Sequence, residues 1–326
     1  MSEVLKRKFQ IGVGKETVRG TVATPAIWLK PLTQDIQDKM EVKATERAMG
    51  VIEDSDEQVV IKRLSGGKIT GEVMDKSIGY FLLGALGQVN SAAQVAPNAL
   101  AYDHTFSVLQ SAKHPTLSID VKKDDIEHMV YANSVVDSLK LDAKVGDYVK
   151  FEVGLKGKKG VASVTTPSQV AENIFLAKHI TAGIADTYAG LSSPTAIAVK
   201  TLSLDINKNI EDKDLLGLDG PSDFLNKQLV IEGSLEMIFE NTTVRDYALN
   251  GTQKSMIITM VNSDVTIATS ANPKLVIKLA KVKFGEPVES GDNNDFAKVV
   301  VKFKAFYSTA DSKSIEAILS NLTTSY

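Results

Sequence analysis

The residues best placed to do chemistry in this chain are a glycine-flanked lysine, two acidic clusters, four histidines and a short basic run. Gly12-Val13-Gly14-Lys15 invites a phosphate cradle, which requires a glycine five positions before the Gly-Lys pair and a hydroxyl residue after the lysine. Phe9 and Glu16 occupy those places, so the segment reads as a turn before a strand. Asp54-Ser55-Asp56 and Asp212-Lys213-Asp214 begin like calcium loops, with alternating oxygen ligands. The first has Val59 where the sharp-turn glycine belongs. The second has Gly217 there but puts Leu216 at a ligand position and Asp223 in place of the bidentate Glu. His104, His114, His128 and His179 show no i, i+3 or i, i+4 pairing, and no serine lies in a Gly-x-Ser-x-Gly elbow. Lys156-Gly157-Lys158-Lys159 reads as a solvated connection. These patterns predict no catalytic constellation, no metal site and no cofactor.

Composition narrows the classes further. With 43% hydrophobic residues and a net charge of −3, the chain can bury a core and lacks a nucleic-acid electrostatic footprint. It has no cysteine, which excludes disulfides, thiolate metal sites and thiol nucleophiles. The basic start lacks an apolar run behind it, and no apolar stretch approaches the ~20 residues of a membrane span. Folding in the cytoplasm without a membrane anchor is the expectation.

The elements that must carry these residues occur twice. Thr17-x-x-Gly20, Pro25 and Lys30-x-Leu32-x-x-Asp35-Ile36 recur as Thr187-x-x-Gly190, Pro194 and Lys200-x-Leu202-x-x-Asp205-Ile206, a displacement of 170 residues from Thr17 to Thr187 and from Ile36 to Ile206. Gly67-Lys-Ile69-Thr-Gly-Glu-Val73, then Asp75 and an apolar helical run over 77–86, recurs as Gly233-Ser-Leu235-Glu-Met-Ile-Phe239, Asn241 and a run over 243–249. Asp75 and Asn241 are read as N-caps, able to accept from the first free helical N–H groups. Each half closes with an alternating strand, Val149-Lys-Phe151-Glu-Val153 and Val299-Val-Val301-Lys-Phe303-Lys-Ala305.

Further strand-like runs lie at 116–121, 129–133, 138–141, 256–261 and 275–279, punctuated by Gly, Asn, Asp and Pro. The apolar spacing of Ile315, Ile318, Leu319 and Leu322 predicts a closing helix over 314–322. The fold expected is mainly β: two tandem antiparallel β-sandwich or barrel domains, each with one short helix. Boundaries are set at 1–160 and 181–326, joined through a linker at 161–180 that follows the Gly- and Ser/Thr-bearing stretch from Gly157.

The opening Gln10-Ile-Gly-Val-Gly-Lys-Glu-Thr-Val-Arg-Gly-Thr21, the strand around Trp28, the acidic Gly50-Val-Ile-Glu-Asp-Ser-Asp56 and the Gly67 strand resemble tail tube proteins of long-tailed bacteriophages. Ile231-Glu-Gly-Ser-Leu-Glu-Met-Ile-Phe-Glu240, Lys281-Val-Lys-Phe284 and the Phe296 to Tyr307 strand extend that resemblance over nearly the whole chain. The resemblance implies a structural, non-enzymatic virion protein that polymerises as stacked rings around a channel for genome delivery. Its duplicated domain implies a trimeric, pseudo-hexameric ring. Implied partners are other copies of the chain, the tail tip or baseplate and the tail terminator. DNA passes without specific binding, and assembly takes place in the host cytoplasm.

Two long polar loops are the expected ring-to-ring contacts, at 40–57 and 209–225. They carry Met40, Glu41, Val51, Glu53, Asp54, Asp56 and Glu57 in the first, and Glu211, Asp212, Asp214 and Asp219 in the second. Strand-borne Glu72, Glu152 and Glu236 are candidates to face the lumen, where negative charge disfavours phosphate contacts. The rival reading is a two-domain β-sandwich adhesin or baseplate accessory. A single tryptophan argues against the aromatic platforms that glycan binding would need.

Overall fold

A computed structural model describes residues 5–239, 242–290 and 296–326. The first half contains β1 (Phe9–Lys15), β2 (Ile27–Leu29), β3 (Thr33–Gln34), β4 (Gln37–Ala44) and β5 (Gln58–Glu72), followed by helix α1 (Ile78–Leu86). After it come β6 (Gly87–Ala93), β7 (Tyr102–Val108), β8 (Leu117–Lys123), β9 (Glu127–Lys144), β10 (Lys150–Gly157) and β11 (Val161–Ala162). The second half contains β12 (Ile180–Ala185), β13 (Thr195–Ile197), β14 (Thr201–Asn207), β15 (Glu211–Lys213), β16 (Asp223–Leu225) and β17 (Val230–Ile238), then helix α2 (Thr243–Leu249). It closes with β18 (Lys254–Val261), β19 (Lys274–Ser290), β20 (Lys298–Phe306) and β21 (Ile315–Asn321). The chain is therefore mainly β, in two tandem antiparallel units with one short helix each.

Strand pairing repeats between the units. In the first, β2 pairs with β1, β1 with β8, β8 with β9, β9 with β10 and β10 with β5. In the second, β13 pairs with β12, β12 with β18, β18 with β19, β19 with β20 and β20 with β17. The repeat extends to a packing detail: β1 and β12 each run under a proline at a glycine. A Cβ on Gly12 would lie 2.7 Å from Pro25, and one on Gly183 would lie 2.8 Å from Pro194, so neither position has room for a side chain.

The two units share one long sheet. Its order is β4, β5, β10, the C-terminal half of β9, β14, β17, β20 and the C-terminal half of β19, with β3 continuing the β4 edge. The ladder from Thr201↔Lys144 to Asn207↔Ser138 is where one unit meets the other. Both β9 and β19 are long enough to serve two layers, pairing with β8 or β18 early and with β10 or β20 later. Alternating apolar residues such as Ile69, Val153, Leu139, Leu204, Leu235 and Val301 point to one side and join a single apolar core that includes both units.

Three local expectations change. Residues 314–322 form no helix: β21 lies between β19 and β7, paired to both, with Ile315, Ala317 and Leu319 buried at period two. The apolar positions fit both periods, and a strand with two neighbours satisfies every backbone group that a lone helix end would leave open. The terminal strands of the two halves align as Val153 with Val301, since Val153 pairs with Ile69 and Val301 with Leu235, rather than as Val149 with Val301. Asp75 does not cap α1. Its carboxylate accepts from the Asn173 backbone and side chain at 2.8 and 2.7 Å, while Glu172 takes the Ser77 N–H at 2.6 Å. Asn241, the corresponding cap in the second half, lies outside the described residues.

At the seam between units, Lys208 is buried and its ammonium donates to the Gly84 carbonyl at 2.7 Å, in the last turn of α1. A cation there satisfies a carbonyl that the helix leaves open. Burial, helped by nearby Arg19, lowers the Lys208 pKa to about 7. Because the folded value lies below the unfolded one, the unfolded chain binds more protons between them, and this group makes stability rise with pH from about 7 towards 10.5. Thermal melts across that window are expected to show the rise, and Lys208→Met is expected to flatten it.

Candidate assembly surfaces

The first long loop is a projecting arm. β10 ends against β5 at Gly157↔Ser65, yet β5 and β4 continue pairing from Asp38↔Ser65 to Ala44↔Gln58. The seven residues 58–64 carry the hairpin roughly 23 Å past the rim of the sheet at strand rise. Every residue of β4 is exposed. Met40, Val42, Val51, Ile52, Val59 and Ile61 all present large apolar side chains to solvent. Such a patch on an isolated chain marks an interaction surface. Around it, Thr45 hydrogen-bonds Asp56, and Glu41, Glu53, Asp54 and Glu57 are exposed along the arm and its tip.

The second loop does not stand apart from the first. It forms a small hairpin of β15 and β16 whose acids grip the root of the arm. Lys62 reaches Asp212 at 2.8 Å and Asp214 at 2.9 Å, Arg63 reaches Asp219 at 2.9 Å, and the Arg63 N–H donates to the Asp219 carbonyl at 2.7 Å. Burial alone would lower the Lys62 pKa, but the hydrogen bonds and charges of Asp212 and Asp214 outweigh it and raise it. Glu211 pairs with Lys227. At the other end of the hairpin, Arg19 donates to Asp223 and to the Phe224 carbonyl, both at 2.6 Å. Apolar Leu215, Leu216 and Leu218 remain exposed at its tip.

Glu72, Glu152 and Glu236 share the face of the long sheet that points away from the core. They are not an acidic patch. One row across the strands reads Thr70, Glu152, Lys140, Asp205, Glu232, Lys304 and Lys283. Lysines reach the acids directly: Lys68 to Glu152 at 2.7 Å, Lys140 to Asp142 at 2.9 Å and Lys304 to Glu232 at 2.6 Å. Glu236 accepts from Thr201. Asp205 has its pKa raised by partial burial, with Lys140 opposing the effect and Glu152, Glu232 and Asp142 adding to it.

The sheet has two unfinished edges. Among the described residues, β4 pairs only with β5, and residues 283–290 of β19 pair only with β20. Nothing on these surfaces resembles a reaction centre. Among the described residues no group of three His, Asp or Glu is placed to hold a metal, and no helix is long and apolar enough to cross a membrane.

Lys62 is the residue that couples the two loops. Lys62→Met is expected to cost roughly 1–2 kcal/mol, the scale of a part-buried charged hydrogen-bond pair. The check is a thermal melt together with amide exchange, which is expected to accelerate in residues 211–225 while β17 and β20 stay protected.

No curated protein sequence matches the chain. The sequence profile described as phage tail tube protein matches residues 7–305, which takes in both units, the arm and the charged face. Projecting arm, open sheet edges and profile agree, and the chain belongs to the phage tail tube protein family.

Proposed function

We propose that three copies of this chain close a ring, and that such rings stack into the tail tube through which a bacteriophage delivers its genome. The ladder between β9 and β14 carries this reading. It joins the last sheet strand of one unit to the first of the next, and the chain retains one unused partner of each kind. β3 and β4 stand at one edge and the C-terminal half of β19 at the other. An exposed edge is a template for another chain, and repeating the internal ladder head to tail between copies closes a cycle.

Each chain then supplies two of six wall segments, residues 1–160 and 181–326, with 161–180 between them. Counting β3 and β4 as one, eight strands per chain in three chains make 24. Barrels of about 16–18 strands already leave an aqueous channel. The face bearing Glu72, Glu152 and Glu236 lines it. Its acids are paired with lysines, so the wall is a mosaic of near-neutral pairs. DNA meets neither a run of cations to bind nor a strong repulsive field.

The arm at residues 40–57 reaches the adjacent ring, and the β15–β16 hairpin fixes its direction. The role is structural rather than catalytic. The tail tip or baseplate and the tail terminator contact the two ends of the stack. The protein resides in the virion tail after assembly in the host cytoplasm.

Negative-stain microscopy of concentrated protein is expected to show rings or hollow filaments, and native mass measurement three chains per ring. Six chains per ring would reject the closure described, and dispersed monomers would reject the tube. Deleting residues 51–56 is expected to leave ring mass unchanged and to abolish stacking; normal tubes from that variant would remove the arm from the ring-to-ring contact.

A further inference from the structure

In the first unit, the rim of the sheet is closed by the segment that leads into β12. Phe175 N–H donates to the Val73 carbonyl and the Phe175 carbonyl accepts from Val149 N–H, both at 3.0 Å. Leu176 bridges Tyr148 in antiparallel fashion, and Gln169 bridges Trp28. Phe175 and all of β2 are buried beneath this cover. A 3-10 turn at Ala177–His179 then hands the chain to β12.

The second unit has the receiving half of the same arrangement. Phe239 N–H donates to the Ala297 carbonyl at 2.9 Å, as Val73 N–H does to Val149 at 2.8 Å. Where the first unit holds its cover, the described residues of the second leave a cleft of about 230 Å³, lined by Ile197, Met237, Phe239, Val244 and Val299. In β13, the counterpart of buried β2, Thr195 and Ala196 are exposed. The segment that follows β21 runs elsewhere, to the start of α1, where Tyr326 packs against Tyr80 with ring centroids 5.1 Å apart.

The donating half also occurs a second time. The displacement of 171 that takes Gly12 to Gly183 takes the 3-10 turn Lys6–Lys8 onto Ala177–His179. It places Leu5 on Leu176 and Val4 on Phe175. Leu5 is 69% exposed in the single chain, and Val4 lies outside the described residues. The lead-in of the second unit covers the first unit, which β14 also joins edge to edge. The lead-in of the first unit has no preceding unit in its own chain to cover.

We infer that the segment ending at Leu5 of one copy closes the cleft beside Phe239 and Ala297 of the preceding copy in the ring. Val4 takes the place that Phe175 takes internally, and Leu5 lies opposite Phe296 as Leu176 lies opposite Tyr148. The occupant is an aliphatic stretch of a second copy, matched to an apolar cleft. The inference rests on the ring reading and adds a contact to it: each junction between chains is sealed at the sheet edge and again at the rim.

Because the chain has no cysteine, Leu5→Cys combined with Phe296→Cys introduces its only two thiols. An antiparallel bridge sets Cα atoms about 4.5–5.5 Å apart, within the range of about 4.4–6.8 Å that a disulfide spans. Oxidising the assembled double variant is expected to convert most chains to covalent dimers and trimers on a non-reducing denaturing gel. Rings that form but stay uncrosslinked, or crosslink only within a chain, would overturn the lead-in contact and leave ring closure standing. Wild-type protein that stays monomeric when concentrated would overturn both. Leu5→Asp alone is expected to raise the ring dissociation constant tenfold or more, an estimate of roughly one buried leucine, while the melting of the isolated chain is unchanged. An unchanged ring constant would also overturn the contact.

Discussion

An open β-sheet edge is a row of backbone donors and acceptors that must find partners, and this protein is organised around that requirement. Inside the chain the requirement is met once, where β14 lies along β9 and merges two units into one sheet. The same ladder determines which surfaces can be core and which cannot. It aligns the alternating apolar residues of both units on one side, so that a single core forms, and it puts the charged residues of both on the other. The edges left at β4 and β19 are the terms of the same series that one chain cannot complete.

Two long strands make this possible. β9 pairs with β8 over its first half and with β10 and β14 over its second, so one strand belongs to both layers, and β19 repeats the device. Register shifts at Gly154/Leu155 and between Phe284 and Pro287 let each strand change partners and bend. The consequence is mechanical coupling between the two layers through covalent backbone as well as side-chain packing.

Much of this was legible in the sequence, for physical reasons that also mark its limits. Half-buried strands alternate, so β8, β18 and β20 were visible, and both short helices were visible as apolar runs after a strand. The run at 315–322 was misread because its apolar residues satisfy helical spacing and β21 owes its form to neighbours about 40 and 210 residues away in sequence, β19 and β7. The arm was legible only as a long acidic loop, since β4 is exposed on both faces and has no periodic signal. That Asp212, Asp214 and Asp219 would meet Lys62 and Arg63 is set by tertiary approach across some 150 residues, which no local pattern encodes. The acids Glu72, Glu152 and Glu236 were correctly placed on strands, but their lysine neighbours belong to adjacent strands and emerge only with register.

The duplication is unequal where it meets the next layer. The first unit extends the paired arm of β4 and β5, and the second has only the short hairpin of β15 and β16, which leans on that arm. A trimer with six similar wall segments therefore has three long projections and not six. Its angular registry with a neighbouring ring repeats every third of a turn, and a misplacement by one wall segment sets a long projection against the site of a short one. Rotation by a sixth of a turn, which the wall alone would tolerate, becomes distinguishable.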